Sequence, residues 1–174
     1  MPLPAGASQY TYTGILPPGW SWSYAHGIND NGDVVGYGGV GSTTMSYIYS
    51  SGNFTALLPP GWSSAYALTI NGSGEIVGYG TVNGIDKAFI YSGGSYTEVL
   101  PPGWSWAWGI RINDSGDVVG GGYNNAYRGF LFSNGSYTEL LPPGWTVSTA
   151  YGINNSGVIA GWGSDGAGVD KGYI

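Results

Sequence analysis

Few residues of this chain can do acid–base or nucleophilic chemistry. There is one histidine in 174 residues, His26, and a Ser-His-Asp triad would have to use it. Its counterparts in the repeats described below are Leu68, Ile110 and Tyr151, so its expected role is packing or lining a channel. No G-x-S-x-G elbow marks a nucleophilic serine, and no G-x-x-x-x-G-K-[ST] loop offers a phosphate cradle. Carboxylates gather at one recurring turn, as Asp30 and Asp33, Glu75, and Asp114 and Asp117, with Asn155 and Val158 in the fourth instance. The stretch "NDNGD" (29–33) has something of a calcium loop but lacks the further oxygen ligands and the bidentate Glu. Turn chemistry accounts for its Asn, Asp and Gly without a metal. Two carboxylates for glycoside hydrolysis can be paired across repeats, yet no motif selects a pair. The absence of cysteine excludes disulfides, thiol catalysis and Cys-ligated zinc. The expectation is a chain that is not an enzyme, holds no metal and needs no cofactor.

The residue types that do recur are aromatic. "LPPGW" occurs at 16–20, 58–62, 100–104 and 141–145. Pro-Pro fixes φ at two positions, and Pro-Gly favours a type II turn, so each Trp follows a pre-formed bend. Trp20, Trp62, Trp104 and Trp145 then have two readings. They wedge between packed sheets, or they stand exposed and stack on sugar rings while nearby Asn, Asp and Ser bond the hydroxyls. Further aromatics follow in some repeats only. Trp22 and Trp106 stand against Ser64 and Val147, and Tyr24, Tyr66 and Trp108 against Thr149. Such variation suits a surface that binds something. The candidate ligand-binding residues are therefore Trp20, Trp62, Trp104, Trp145, Trp22, Trp106, Tyr24, Tyr66 and Trp108, with a glycan or polysaccharide as partner. Homotypic assembly into filaments, tubes or lattices is the second function, because aromatics are enriched and charges depleted at protein interfaces.

The elements that must position these residues come from the repeat itself. The LPPGW segments start 42, 42 and 41 residues apart, and the similarity extends past them. "SYAHGIN", "AYALTIN", "AWGIRIN" and "TAYGIN" lead into "DNGDVVGYG", "GSGEIVGYG", "DSGDVVGGG" and "NSGVIAGWG". In the first unit, strands are expected near 25–28, 33–37, 46–49 and 54–57, with turns at 29–32 and 51–53. Four antiparallel strands in about 42 residues make one propeller blade. The fold class is thus all-β, a single-domain four-bladed β-propeller over 1–174, with blades near 16–57, 58–99, 100–140 and 141–174. The fourth unit reaches only three strands, and "QYTYTGI" (9–15) resembles the missing outer strand "GSYTEV". The expectation is a ring closed by Gln9–Ile15 completing the last blade, which removes open sheet edges. Two chains joined in an eight-bladed ring are the alternative.

On these motifs the repeat resembles the HAF-family extracellular repeat. The first half of that pattern appears as "GINDNGDVVGYG" (27–38), "INDSGDVVG" (112–120) and "GINNSGVIAG" (152–161). The second half appears as "KAFIYSGGSYTEV" (87–99) and "RGFLFSNGSYTEL" (128–140). The family's His is here Ser46, Lys87, Arg128 and Lys171, and its inter-repeat linker is LPPGW. The resemblance implies an extracellular or cell-surface location and no catalytic residues to carry over. Composition agrees on folding: 34 Gly, 15 Tyr and 8 Trp with 8% charged residues are the opposite of a disordered chain. With a net charge of −6 and four basic residues, no nucleic-acid footprint can form. No apolar run suits membrane insertion, and "MPLPAGASQY" has no signal-peptide pattern. The five N-x-S/T triplets, at Asn53, Asn71, Asn113, Asn134 and Asn154, are a by-product of turn composition.

Overall fold

The computed structural model describes residues 10–174. The chain is all-β and built from four antiparallel sheets in which consecutive strands are neighbours. Blade 1 holds β1 (Trp22–Ile28), β2 (Val34–Val40), β3 (Thr43–Ser50) and β4 (Asn53–Leu57). Blade 2 holds β5 (Ser64–Ile70), β6 (Ile76–Val82), β7 (Ile85–Ser92) and β8 (Ser95–Val99). Blade 3 holds β9 (Trp106–Ile112), β10 (Val118–Tyr123), β11 (Tyr127–Ser133) and β12 (Ser136–Leu140), and blade 4 holds β13 (Trp145–Ile153), β14 (Ile159–Asp165) and β15 (Asp170–Tyr173). The first strand of each unit starts three residues or more before the expected segment, because the alternation of small and aromatic residues already begins at Trp22.

The blades stack in sequence. β5 packs on β2 and β3, β9 on β6 and β7, and β13 on β10 and β11. The residues at each junction are small or branched. Ala65, Ala67 and Ile70 meet Val35 and Leu57, and Ala107 and Ile112 meet Val77, Ala88 and Val99. Fully burying such side chains stabilises by roughly 1.5–3 kcal/mol for each large one.

The LPPGW turn closes by the expected route. The backbone N–H of Trp62 donates to the Pro59 carbonyl at 3.0 Å, and Gly61 takes φ 81°, the left-handed conformation of a type II turn. The ring of Trp62 then lies edge-on to Phe89 at 6.0 Å. Trp20 meets Tyr47, Trp104 meets Phe130 and Trp145 meets Tyr173 in the same way. Each also covers a glycine of the second strand. A Cβ on Gly80 would stand 2.8 Å from the Trp62 ring.

Two expectations are corrected here. Gln9 lies outside the described residues, and Tyr10–Ile15 forms no strand; blade 4 therefore has three strands. Among the described residues nothing comparable to the blade junctions joins blade 4 to blade 1, so the series is open and no closed ring is present. Second, the blade 1 equivalent of Lys87 and Lys171 is Met45, not Ser46. Met45 pairs with Gly38 as Lys87 pairs with Gly80 and Lys171 with Gly163.

Candidate functional site

The first strand of every blade carries a β-bulge, and the residue left out of pairing is His26, Leu68, Ile110 or Tyr151. A bulge re-aims one side chain and sharpens the local twist. Leu68, Ile110 and Tyr151 line one cleft, and His26 stacks on Tyr37 at 4.8 Å.

Beside the bulges runs an aromatic stripe. Its members are cross-strand pairs of the first two strands: Tyr24 with Tyr37, Tyr66 with Tyr79, Trp108 with Gly121, and Thr149 with Trp162. The rings touch across the blade junctions as well. Tyr37 lies 4.9 Å from Tyr66, Tyr66 4.8 Å from Tyr79, and Tyr79 5.2 Å from Trp108. Trp22 and Trp106 flank the stripe, at 5.4 Å from Tyr24 and 4.7 Å from Trp108. Burial, then neighbouring tyrosines, pushes the Tyr37 and Tyr79 phenols up from their ordinary range. These phenols are neutral hydrogen-bonding groups at any physiological pH.

The stripe is interrupted after Trp108. Gly121 stands where the other blades have Tyr37, Tyr79 and Trp162, and Thr149 stands where they have Tyr24, Tyr66 and Trp108. Two rings fewer leave a cleft of about 310 Å³ between blades 2, 3 and 4, walled by Tyr79, Trp106, Trp108, Tyr127, Tyr151 and Trp162. Its rings are held at their edges. The Trp108 indole N–H donates to Asp86 at 3.2 Å, and Asp86 accepts from Thr81 at 2.7 Å. The Trp162 indole N–H donates to the Tyr151 hydroxyl at 3.2 Å. Trp108 and Trp162 remain 38% and 39% exposed. The arrangement can therefore offer a flat ligand the indoles of Trp108 and Trp162 together with the Tyr151 and Thr149 hydroxyls of the lining.

The candidate residues separate into two groups. Trp22, Tyr24, Tyr66, Trp106 and Trp108 belong to the stripe. The LPPGW tryptophans do not: Trp62 and Trp104 are 7% and 8% exposed, each in the apolar layer between its blade and the one before. Trp20 and Trp145 are half-buried in equivalent positions. Of their two readings the wedge fits Trp62 and Trp104, since a ring sandwiched between sheets has no face left for a ligand. Tyr79, Tyr127, Tyr151 and Trp162 were not among the candidates. The signal for Tyr79 and Trp162 is the aromatic in "VVGYG", "IVGYG" and "IAGWG", which is missing from "VVGGG".

The recurring carboxylates have a structural task. In each first hairpin an Asn side-chain oxygen accepts two backbone N–H groups of the turn, as Asn71 does from Ser73 and Glu75 at 3.1 and 2.9 Å. The Asn amide then donates to the acid four residues on, with Asn71 reaching Glu75 at 2.8 Å. It also donates to the next blade's Asn carbonyl: Asn29 to Asn71 at 3.2 Å, Asn71 to Asn113 at 3.0 Å, and Asn113 to Asn154 at 3.2 Å. A ladder of amides thus ties the blades along the hub. Hydrogen bonds from Ser50 and Asn29 hold the Asp33 carboxyl below its ordinary range.

No family model matches the chain, and no curated protein does. Among solved structures it is similar to a streptogramin B lyase, at 17% identity over 91% of this chain and 70% of that one, with a TM-score of 0.47. It is also similar to virginiamycin B lyase from Staphylococcus aureus, at 16% identity over 86% of this chain and 69% of that one, with a TM-score of 0.37. Both are β-propellers and enzymes. This corrects the expectation, drawn from the lone His26 and the missing nucleophile motifs, that the chain is not an enzyme. The likeness is one of fold, and neither lyase's substrate passes to this chain.

Proposed function

We propose that the chain is a carbohydrate-binding protein of an extracellular setting, and that the cleft between Trp108 and Trp162 takes a sugar ring. The observation that carries this is the interrupted aromatic stack. Gly121 and Thr149 leave a cleft of about 310 Å³ beside indoles that are already held at their edges, so little side-chain freedom is lost on binding. The apolar face of a pyranose stacks on an indole, and its equatorial hydroxyls meet the Tyr151 and Thr149 hydroxyls. Trp106 and Trp22, with Tyr24 and Tyr66, extend the same surface toward blade 1, which suits a polysaccharide longer than one residue. The same reading takes the four sheets as β-propeller blades whose first two strands carry the site.

The test is a titration of oligosaccharides of varied sugar and linkage, followed by calorimetry and by tryptophan emission, on the natural chain and on Trp108→Ala. Binding to the natural chain that falls at least tenfold in Trp108→Ala, with the thermal midpoint moved by less than about 3 °C, supports the proposal. Failure of every sugar in the panel to bind, or unchanged affinity in the variant, overturns it.

A further inference from the structure

The two end blades expose what the inner blades bury. On the first strand, Ala67 and Ala150 are 0% exposed at their junctions, while the equivalent Ala25 is exposed. Ile70 and Ile112 are 6% and 7% exposed, and the equivalent Ile28 is 69% exposed. At the other end, Val35, Val77 and Val119 are fully buried, whereas the equivalent Ala160 is exposed, as is Gly172 where Ser46 and Ala88 are buried. The amide ladder ends unmet in the same places. Asn154 is exposed, with Val158 where the other blades have an acid, and among the described residues no later blade offers its amide a carbonyl. One end is thus a blade's front face and the other a blade's back face, the two surfaces that join three times inside the chain.

We infer that the partner of each face is the other face of a second copy, joined head to tail. The connectivity agrees. Inside the chain, β4 precedes LPPGW and β5, pairs with β3, and so delivers β5 to the back of blade 1. In the same way, Tyr10–Ile15 precedes LPPGW and β1. When β1 of one copy docks on blade 4 of another, this segment falls beside β15, whose outer edge has no strand among the described residues. Internal registers fix the pairing. Ser46 faces Leu57, Tyr47 faces Ala56 and Ile48 faces Thr55, so Gly172, Tyr173 and Ile174 of one copy face Ile15, Gly14 and Thr13 of the other. Tyr12 would then meet Tyr173 as Tyr96 meets Phe89 at 6.0 Å; in the single chain Tyr12 is 91% exposed. A heterologous contact of this kind closes into a ring or extends into a filament according to its rotation.

The chain has no cysteine, so a crosslink reports cleanly. The full chain carrying Thr13→Cys and Ile174→Cys is oxidised and run on a denaturing gel, and the mass of the natural chain is measured by light scattering over a range of concentration. A disulfide between chains, with a native mass of 36 kDa or a higher multiple of 18.1 kDa, is the expected result. Ala160→Glu, a change at an exposed position that folding tolerates, should return the mass to 18.1 kDa with an unchanged circular dichroism spectrum. A crosslink within one chain would mean that the segment latches its own last blade, and overturns the inference. So does a monomer at every concentration, or an Ala160→Glu variant of unchanged mass.

Discussion

At the scale of the residue, the two sets of tryptophans predict opposite phenotypes. Trp104 sits between blades 2 and 3 on Phe130, so Trp104→Ala should cost about 3–5 kcal/mol. Trp108 is bounded on one side by the open cleft, and Trp108→Ala should cost less than half as much; denaturant midpoints measure the difference. Two hydroxyls make a second case. Ser46 Oγ and the Tyr173 hydroxyl are buried without a hydrogen-bond partner. Other blades place Ala88 and Gly129 at the first position and Phe89 and Phe130 at the second. Burying an unpaired hydroxyl costs about 1–3 kcal/mol, so Ser46→Ala and Tyr173→Phe should each raise the thermal midpoint. A fall in either variant would show that the hydroxyl is satisfied by bound water. Much of the aromatic stripe was legible at this scale: Tyr24, Tyr66, Trp106 and Trp108 are marked by their variation between repeats. The exclusion of Trp62 and Trp104 was not, because a rigid turn delivers an indole equally well to solvent or to a sheet junction. Only the aromatic on the third strand decides which.

At the scale of the element, the amide ladder explains why every first hairpin begins with Ile-Asn. Asn71 is 4% exposed and joins its own turn, Glu75 and the next blade. Asn71→Ala should therefore cost about 3 kcal/mol, within the upper range for a broken buried network. Asn154 keeps its turn bonds but has no blade beyond it, and Asn154→Ala should cost about 1 kcal/mol. Equal losses in the two variants would mean that the ladder contributes nothing across blades. The tyrosines set an alkaline limit on the sheets. Burial raises the phenols of Tyr37, Tyr47, Tyr79, Tyr137 and Tyr173 above 10, and that of Tyr96 to about 12. A raised folded-state pKa gives stability that is intact below the unfolded value and is lost as pH climbs through the folded one. Stability should thus hold to about pH 10 and decline toward pH 12, with tyrosinate absorbance lagging that of a denatured control. The strands themselves were readable from repeat spacing and turn residues. The bulge at His26, Leu68, Ile110 and Tyr151 was not, since one extra residue in a strand leaves no mark on composition.

At the scale of the molecule, an open series of blades behaves as a one-dimensional stack in which each unit leans on its neighbours. Blades 2 and 3 have a neighbour on both sides within the chain, so in the monomeric Ala160→Glu variant amide exchange should be slowest in β6, β7, β9 and β10 and faster in β1, β14 and β15. Uniform protection at micromolar concentration would instead indicate that the ends are covered. Four blades were legible in the sequence, from four LPPGW segments at near-constant spacing. Closure was not, because strand complementarity between 9–15 and blade 4 is the same whether the two belong to one chain or to two. The stripe of rings crosses this stack from Trp22 to Trp108 with neighbouring centroids within 5.8 Å. At such separations light absorbed by a tyrosine passes to an indole faster than the tyrosine can emit. Excitation taken up over blades 1 and 2 should drain toward Trp22 at one end and Trp108 at the other, so the wall of the cleft glows with energy collected far from it, and anything that settles against Trp108 dims light gathered across half the molecule.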